Sequence, residues 1–176
     1  NNVLTELLAG MQAILGTKLV ALYLYGSLVT GDFDHEVSDI DLLAATATEI
    51  DEKEFAQLKA MQDELAQNYN QWDNRLEIAY VSLEALRTFK TCQSQIAIIS
   101  PGEPFHWKEA GKDWLINWYV VQEKGLTLFG PPPQTIIEPI SKAEYLQAVR
   151  EQAGEWREYI TRARQSRPYQ GYAILT

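Results

Sequence analysis

Cysteine is nearly absent from this chain: Cys92 stands alone among 176 residues. That excludes an intrachain disulfide and suits a reducing cytoplasm, with Cys92 itself reading as a small hydrophobe. Basic residues are also scarce, 15 against 24 acidic ones, for a net charge of −9. Docking on duplex nucleic acid requires cations that displace the counterions of the phosphates, so that class of partner is excluded. The acidic surplus favours a cationic ligand or a divalent metal. No apolar run approaches the ~18 residues of a bilayer-spanning helix, so no membrane is expected. The start, Asn1 to Glu6, lacks a basic stretch followed by an apolar one, so no secretory signal is read there. It also lacks an initiating Met, and the first native residues are expected to precede it. Internal repeats and low-complexity segments are missing as well.

What is present is a globular composition, 46% hydrophobic, enough for one medium domain or a small domain with an appendage. Val3, Leu4, Leu7, Leu8, Met11, Ile14 and Leu15 recur at helical spacing, and Gly16 ends the pattern. Residues 19–25 (LVALYLY) form a β-rich apolar run, halted by Gly26-Ser27. After a polar segment, residues 39–45 (DIDLLAA) predict a second strand. Thr48 and Asp51 resemble a capping box ahead of a stripe through Ile50, Phe55, Leu58, Met61 and Leu65. Residues 75–81 predict a third strand, and Ser82 caps a short helix through Leu86 and Phe89. The stretch from Ser94 to Lys112 resists assignment beyond turns at Pro101-Gly102 and Pro104. Residues 114–124 predict a helix stopped by Gly125, and Leu126 to Phe129 is a short apolar run. Gly130 to Pro133 reads as a linker, and Ser141 with Glu144 opens a helix to about Arg164.

The expected fold is α/β: a small mixed β-sheet flanked by helices, followed by the start of a helical C-terminal domain. The expected boundaries are 1–130 and 131–176, the second part incomplete, because an apolar helical pattern is cut off at the terminus.

Three features carry chemistry. Gly26-Ser27 ends one strand, Asp39-Ile40-Asp41 opens the next, and Glu77 lies in a third. Residues two apart on a strand share a face, about 6–7 Å apart, so Asp39 and Asp41 point together. If the third strand is their neighbour, Glu77 adds a third carboxylate to that face. Three carboxylates so close repel one another unless a cation lies between them. Mg²⁺ fits, because it takes oxygen ligands and keeps part of its shell for substrate phosphates. At Gly26 the backbone can approach a ligand closely, and exposed N–H groups with the Ser27 hydroxyl can hold phosphate oxygens.

Leu24-Tyr25-Gly26-Ser27, an eleven-residue gap, and Asp39-Ile40-Asp41-Leu42-Leu43 preceded by Ser38 together resemble the signature of the DNA polymerase β-type nucleotidyltransferase superfamily. Within it, the sequence is most similar to the aminoglycoside adenylyltransferases that modify streptomycin and spectinomycin. Arg75-Leu76-Glu77-Ile78 resembles their third-carboxylate strand, and residues 125–131 (GLTLFGP) resemble the passage into their helical domain. The resemblance implies a nucleotidyltransferase fold and an enzyme that transfers AMP from ATP to a hydroxyl of a small molecule, with a cationic aminoglycoside among the candidate acceptors. It implies Asp39 and Asp41 as Mg²⁺ ligands, Gly26, Ser27 and Ser38 as nucleotide contacts, and Glu77 as the base. Two alternatives stay open: a minimal nucleotidyltransferase that modifies a protein, and a nucleotide-binding module without catalysis. Neither the acceptor nor the oligomeric state follows from the residues.

The remaining chemistry-bearing residues have plainer readings. His35 and His106 lack metal-ligand spacing and read as loop or surface residues. Asp32, Asp34 and Glu36 read as a solvated loop. Trp107, Trp114 and Trp118 read as packing, and Arg162, Arg164 and Arg167 as a solvated helix face.

Overall fold

The computed structural model describes residues 2–34 and 38–162. It divides into two compact units, Asn1–Pro139 and Ile140–Thr176. The first unit holds α1 (Asn2–Leu15), β1 (Leu19–Tyr25), α2 (Ser27–Thr30), β2 (Ile40–Thr46), α3 (Glu52–Asn68) and β3 (Leu76–Ser82). These are followed by α4 (Leu83–Thr88), β4 (Ser94–Ser100), β5 (Glu103–Ala110), α5 (Leu115–Lys124) and β6 (Leu126–Phe129). The second unit contains α6 (Lys142–Arg162), opened by Ser141, whose hydroxyl accepts from the Glu144 amide at 3.2 Å while the Glu144 carboxylate accepts from the Ser141 amide at 2.7 Å.

One six-stranded sheet in the order β5-β4-β3-β2-β1-β6 organises the first unit. β2 and β3 run parallel and every other pair is antiparallel, so the sheet is mixed, as the sequence predicts. A parallel pair needs a crossover rather than a hairpin. Here α3 provides it. Alternate residues of a strand face opposite sides, and one side carries Leu22, Leu24, Ile40, Leu42 and Ile78 into a core with Leu7 and Met11 of α1 and Leu58 of α3. Beside the sheet, α5 lies against β1 and α4 against β3. Every position of β2 and β3 is fully buried except one each, Asp41 and Glu77. Apolar burial drives these strands to the centre of the sheet, and the exceptions are the carboxylates.

Three local features differ from the sequence reading. The cap of α3 is Asp51 rather than Thr48: its side chain accepts from Glu54 N at 2.8 Å, and Glu54 returns the contact to Asp51 N at 2.7 Å. A shorter helix start places the box three residues later and leaves Ile50 buried ahead of it. The stretch from 94 to 112 forms β4 and β5. Gly130 to Pro133 is packed rather than free: Tyr23 donates its hydroxyl to Pro131 O at 2.7 Å, and Pro133 is buried. Gly130 is required there, at φ +85 and so close to β1 that a Cβ would lie 2.2 Å from Val20 O. Among the described residues no helix is long and apolar enough to cross a membrane. Arg164 and Arg167 lie outside the described residues, as do His35 and Glu36.

Candidate active site

Two strand pairings assemble the site. Asp41 is the register partner of Tyr25 on β1 and of Glu77 on β3, so these three residues stand in a row across the sheet. Asp39 lies one residue ahead of β2 and joins the row from its end. One carboxylate oxygen from each of Asp39, Asp41 and Glu77 lies within 4.8 Å of the others. The structure therefore brings together the three acidic residues singled out in the sequence.

Gly26 follows β1 directly and sits against the same group. A Cβ there would fall 1.9 Å from Asp41 Oδ2, and φ +72 with ψ −156 is a conformation close to glycine-only. Ser27 opens α2, a single turn closed by the amides of Val29 and Thr30 donating to Gly26 O at 3.1 and 3.2 Å. The amides of Ser27 and Leu28 precede that turn, where the first N–H groups of a helix have no intrahelical acceptor. Ser38 is engaged locally: its hydroxyl accepts from Asp34 N at 2.9 Å, and its carbonyl accepts from Arg75 Nε at 2.9 Å.

The electrostatics follow from crowding. Desolvation first, then the charges of Asp39 and Glu77, push the Asp41 carboxyl up from its ordinary value to about 7. Glu77 is raised by desolvation and by Asp39, against hydrogen bonds from Ser100 and Tyr25 and the charge of Lys108, which lower it. Burial, then Glu77 and Asp41, hold the Tyr25 hydroxyl well above its usual range; it donates toward Glu77 Oε1 at 3.5 Å and also meets Asn117. The donor set suits a hard divalent cation: three carboxylates at oxygen-sharing distance, each disfavouring the charge of the next, become compatible once a cation lies among them.

Among the described residues the cluster takes in Asp39, Asp41 and Glu77 and no histidine. His106 on β5 contacts Pro104 O through Nδ1 at 2.7 Å and Glu103 Oε2 through Nε2 at 3.6 Å. Trp107 stacks on Phe55 at 4.7 Å, and Trp114 on Trp118 at 5.2 Å, so these rings act in packing. The surroundings of Glu77 that the sequence did not disclose are its own neighbours Ser100, Lys108 and Tyr25, and Asn117, which hydrogen-bonds to Tyr25. Only Tyr25 lay beside a motif. The other three come from β4, β5 and α5, whose placement depends on long-range register.

Comparison with known proteins adds the family. The sequence matches the model of the nucleotidyltransferase domain over residues 4–105. No curated protein matches it in sequence. Among solved structures it is similar to the spectinomycin adenyltransferase AAD(9) from Enterococcus faecialis, solved with ATP and spectinomycin. The TM-score is 0.71 at 14% identity, covering 93% of this chain and 68% of that one. At that identity the likeness is one of fold. A toxin–antitoxin complex with AMP-PNP has a TM-score of 0.40 at 16% identity, over 86% of this chain and 89% of that one. The AMPylated HEPN toxin with MNT antitoxin of Shewanella oneidensis has 0.37 at 14%, over 89% and 91%, and both scores fall below those of a shared overall fold. The family model spans more than half of the chain and includes all three carboxylates, and the chain belongs to the nucleotidyltransferase domain family.

Proposed function

We propose that this chain transfers the AMP unit of ATP to a hydroxyl of a small-molecule acceptor. The observation that carries this reading is the meeting of Asp39, Asp41 and Glu77 beside the Gly26-Ser27 turn in a nucleotidyltransferase domain. The fold shared with a spectinomycin adenyltransferase supports adenylyl as the transferred group and makes aminoglycoside-type antibiotics the first acceptors to test. Residues 1–130 act in this reading as the nucleotidyltransferase domain, and 131–176 belong to a second, helical part.

Asp39 and Asp41 would hold Mg²⁺, which when bound neutralises phosphate charge and withdraws electrons from the reacting phosphoryl group. Gly26 brings the backbone close to the triphosphate, and the first amides of α2 with the Ser27 hydroxyl receive its oxygens. Ser38 borders this contact. Glu77 accepts the proton of the acceptor hydroxyl, whose oxygen bonds to the α-phosphorus as the bond to the bridging oxygen of pyrophosphate breaks. Holding nucleophile and leaving group in line is the main contribution of the protein.

The test is incubation with α-labelled ATP and Mg²⁺ in the presence of spectinomycin, streptomycin or a bacterial lysate. Label on the antibiotic supports the reading. Label on a protein points to a protein acceptor, and absence of label to a nucleotide-binding module. Glu77→Gln is expected to keep ATP binding and lose about 10²–10⁴-fold in turnover. Unchanged turnover would move the base elsewhere.

A further inference from the structure

We propose that Arg75 is a positioning residue that sets where the Asp39 carboxylate stands, acting through the backbone of Ser38. This rests on Asp39 being a metal ligand. The two aspartates are fixed in different ways. Asp41 lies within β2 and is paired on both sides, with Tyr25 and Glu77. Asp39 precedes the strand, and the first bond of the β2–β3 ladder here is Ile40 N to Arg75 O at 2.9 Å. That bond fixes the peptide unit after Asp39, and the unit before it needs a hold of its own.

That unit is held by a guanidinium fork. Arg75 donates from Nε to Ser38 O at 2.9 Å and from Nη2 to the same oxygen. A peptide is planar, so pinning Ser38 O also pins the amide nitrogen of Asp39; with the following peptide held through Ile40 N, the side-chain torsions are the main freedoms left. The fork is itself fixed. Nη1 donates to Gln71 O at 3.3 Å, and the guanidinium carbon lies 5.1 Å from the centre of the Trp72 ring. Trp72 in turn meets Phe33, in the segment that leads to Ser38, at 6.3 Å. One side chain thus joins the start of β3, which carries Glu77, to the lead-in of β2, where Asp39 stands just ahead of Asp41. A lysine has no such planar fork and supplies one point charge in its place.

The experiment titrates the intact protein with Mn²⁺ alone and reads free Mn²⁺ by electron paramagnetic resonance, beside thermal unfolding. It compares the wild type with Arg75→Met, Arg75→Lys and Asp39→Asn. Arg75→Met keeps the stem but no donor, and is expected to weaken Mn²⁺ binding by about 10–100-fold, the usual effect of losing a partner that orients a ligand. Arg75→Lys is expected to lose less. A residue that only stabilises the loop would lower the thermal midpoint and leave Mn²⁺ affinity unchanged; that result overturns the proposal. If Arg75→Met does not fold, Arg75→Lys decides, and wild-type affinity in it is equally adverse. Wild type and Asp39→Asn binding Mn²⁺ alike would instead overturn the metal reading, and this inference with it. A wild type that binds, an Asp39→Asn that does not, and Arg75 variants equal to wild type would remove the role of Arg75 alone.

Discussion

Asp41 is held where a carboxylate is disfavoured, half-buried between Glu77 and Tyr25 with Asp39 close by. Replacing it with asparagine keeps the shape and removes one charge from the trio. The metal-free Asp41→Asn protein is therefore expected to melt about 2–4 °C higher, the equivalent of roughly 1 kcal/mol for a chain of this size, while losing detectable transfer. Calorimetry with and without Mg²⁺ checks this, and a lower midpoint in the metal-free protein would show that the trio does not repel. Gly26 makes the opposite case. Its backbone is nearly glycine-only, and Asp41 occupies the space of a Cβ. Gly26→Ala is expected to cost about 1–3 kcal/mol of stability, read as a lower midpoint, and to displace the very carboxylate the site needs. A variant with wild-type stability and activity would mean that the turn is free to shift.

Among the elements, legibility followed burial. Residues 19–25 and 39–45 showed in the sequence because central strands buried on both faces appear as continuous apolar runs. β4 and β5 did not show, because β5 is an edge strand whose exposed Glu103, Lys108 and Glu109 interrupt the alternation. The same gap hid Ser100 and Lys108 beside Glu77. The carboxylates themselves were legible from local spacing, but their convergence required β3 to lie next to β2, a long-range pairing that no single segment encodes. The α3 crossover that enforces this pairing has its own anchor: Phe55 stacks on Phe105 at 4.3 Å and on Trp107 at 4.7 Å, joining the helix to β5. Phe55→Ala is expected to cost about 2–4 kcal/mol, less than a fully buried phenylalanine because Phe55 is half-buried. Urea unfolding should show a lower midpoint with an unchanged slope; an unchanged midpoint would mean that α3 is held by Leu58 and Leu65 alone.

At the scale of the whole molecule, buried tyrosines set the alkaline limit. Burial pushes Tyr23 up to about 12 and Tyr80 higher still, from an ordinary value of 10. The folded state keeps these protons after the unfolded state has lost them. Stability from both groups is thus complete below pH 10 and declines as pH rises from 10 toward 12, by up to about 1.4 kcal/mol per pH unit per group. Urea midpoints are expected to hold steady from pH 8 to 9.5 and then fall, with a shallower fall in Tyr23→Phe. A flat profile to pH 12 would mean that these hydroxyls are not protonated buried groups.

Whether metal and nucleotide meet at the carboxylate trio is read from a crystal structure with Mn²⁺ and a non-hydrolysable ATP analogue. An anomalous manganese peak is expected about 2.1 Å from carboxylate oxygens of both Asp39 and Asp41, with the triphosphate on the Gly26-Ser27 turn. Nucleotide bound at another place on the chain, with no manganese between those two aspartates, would contradict that placement.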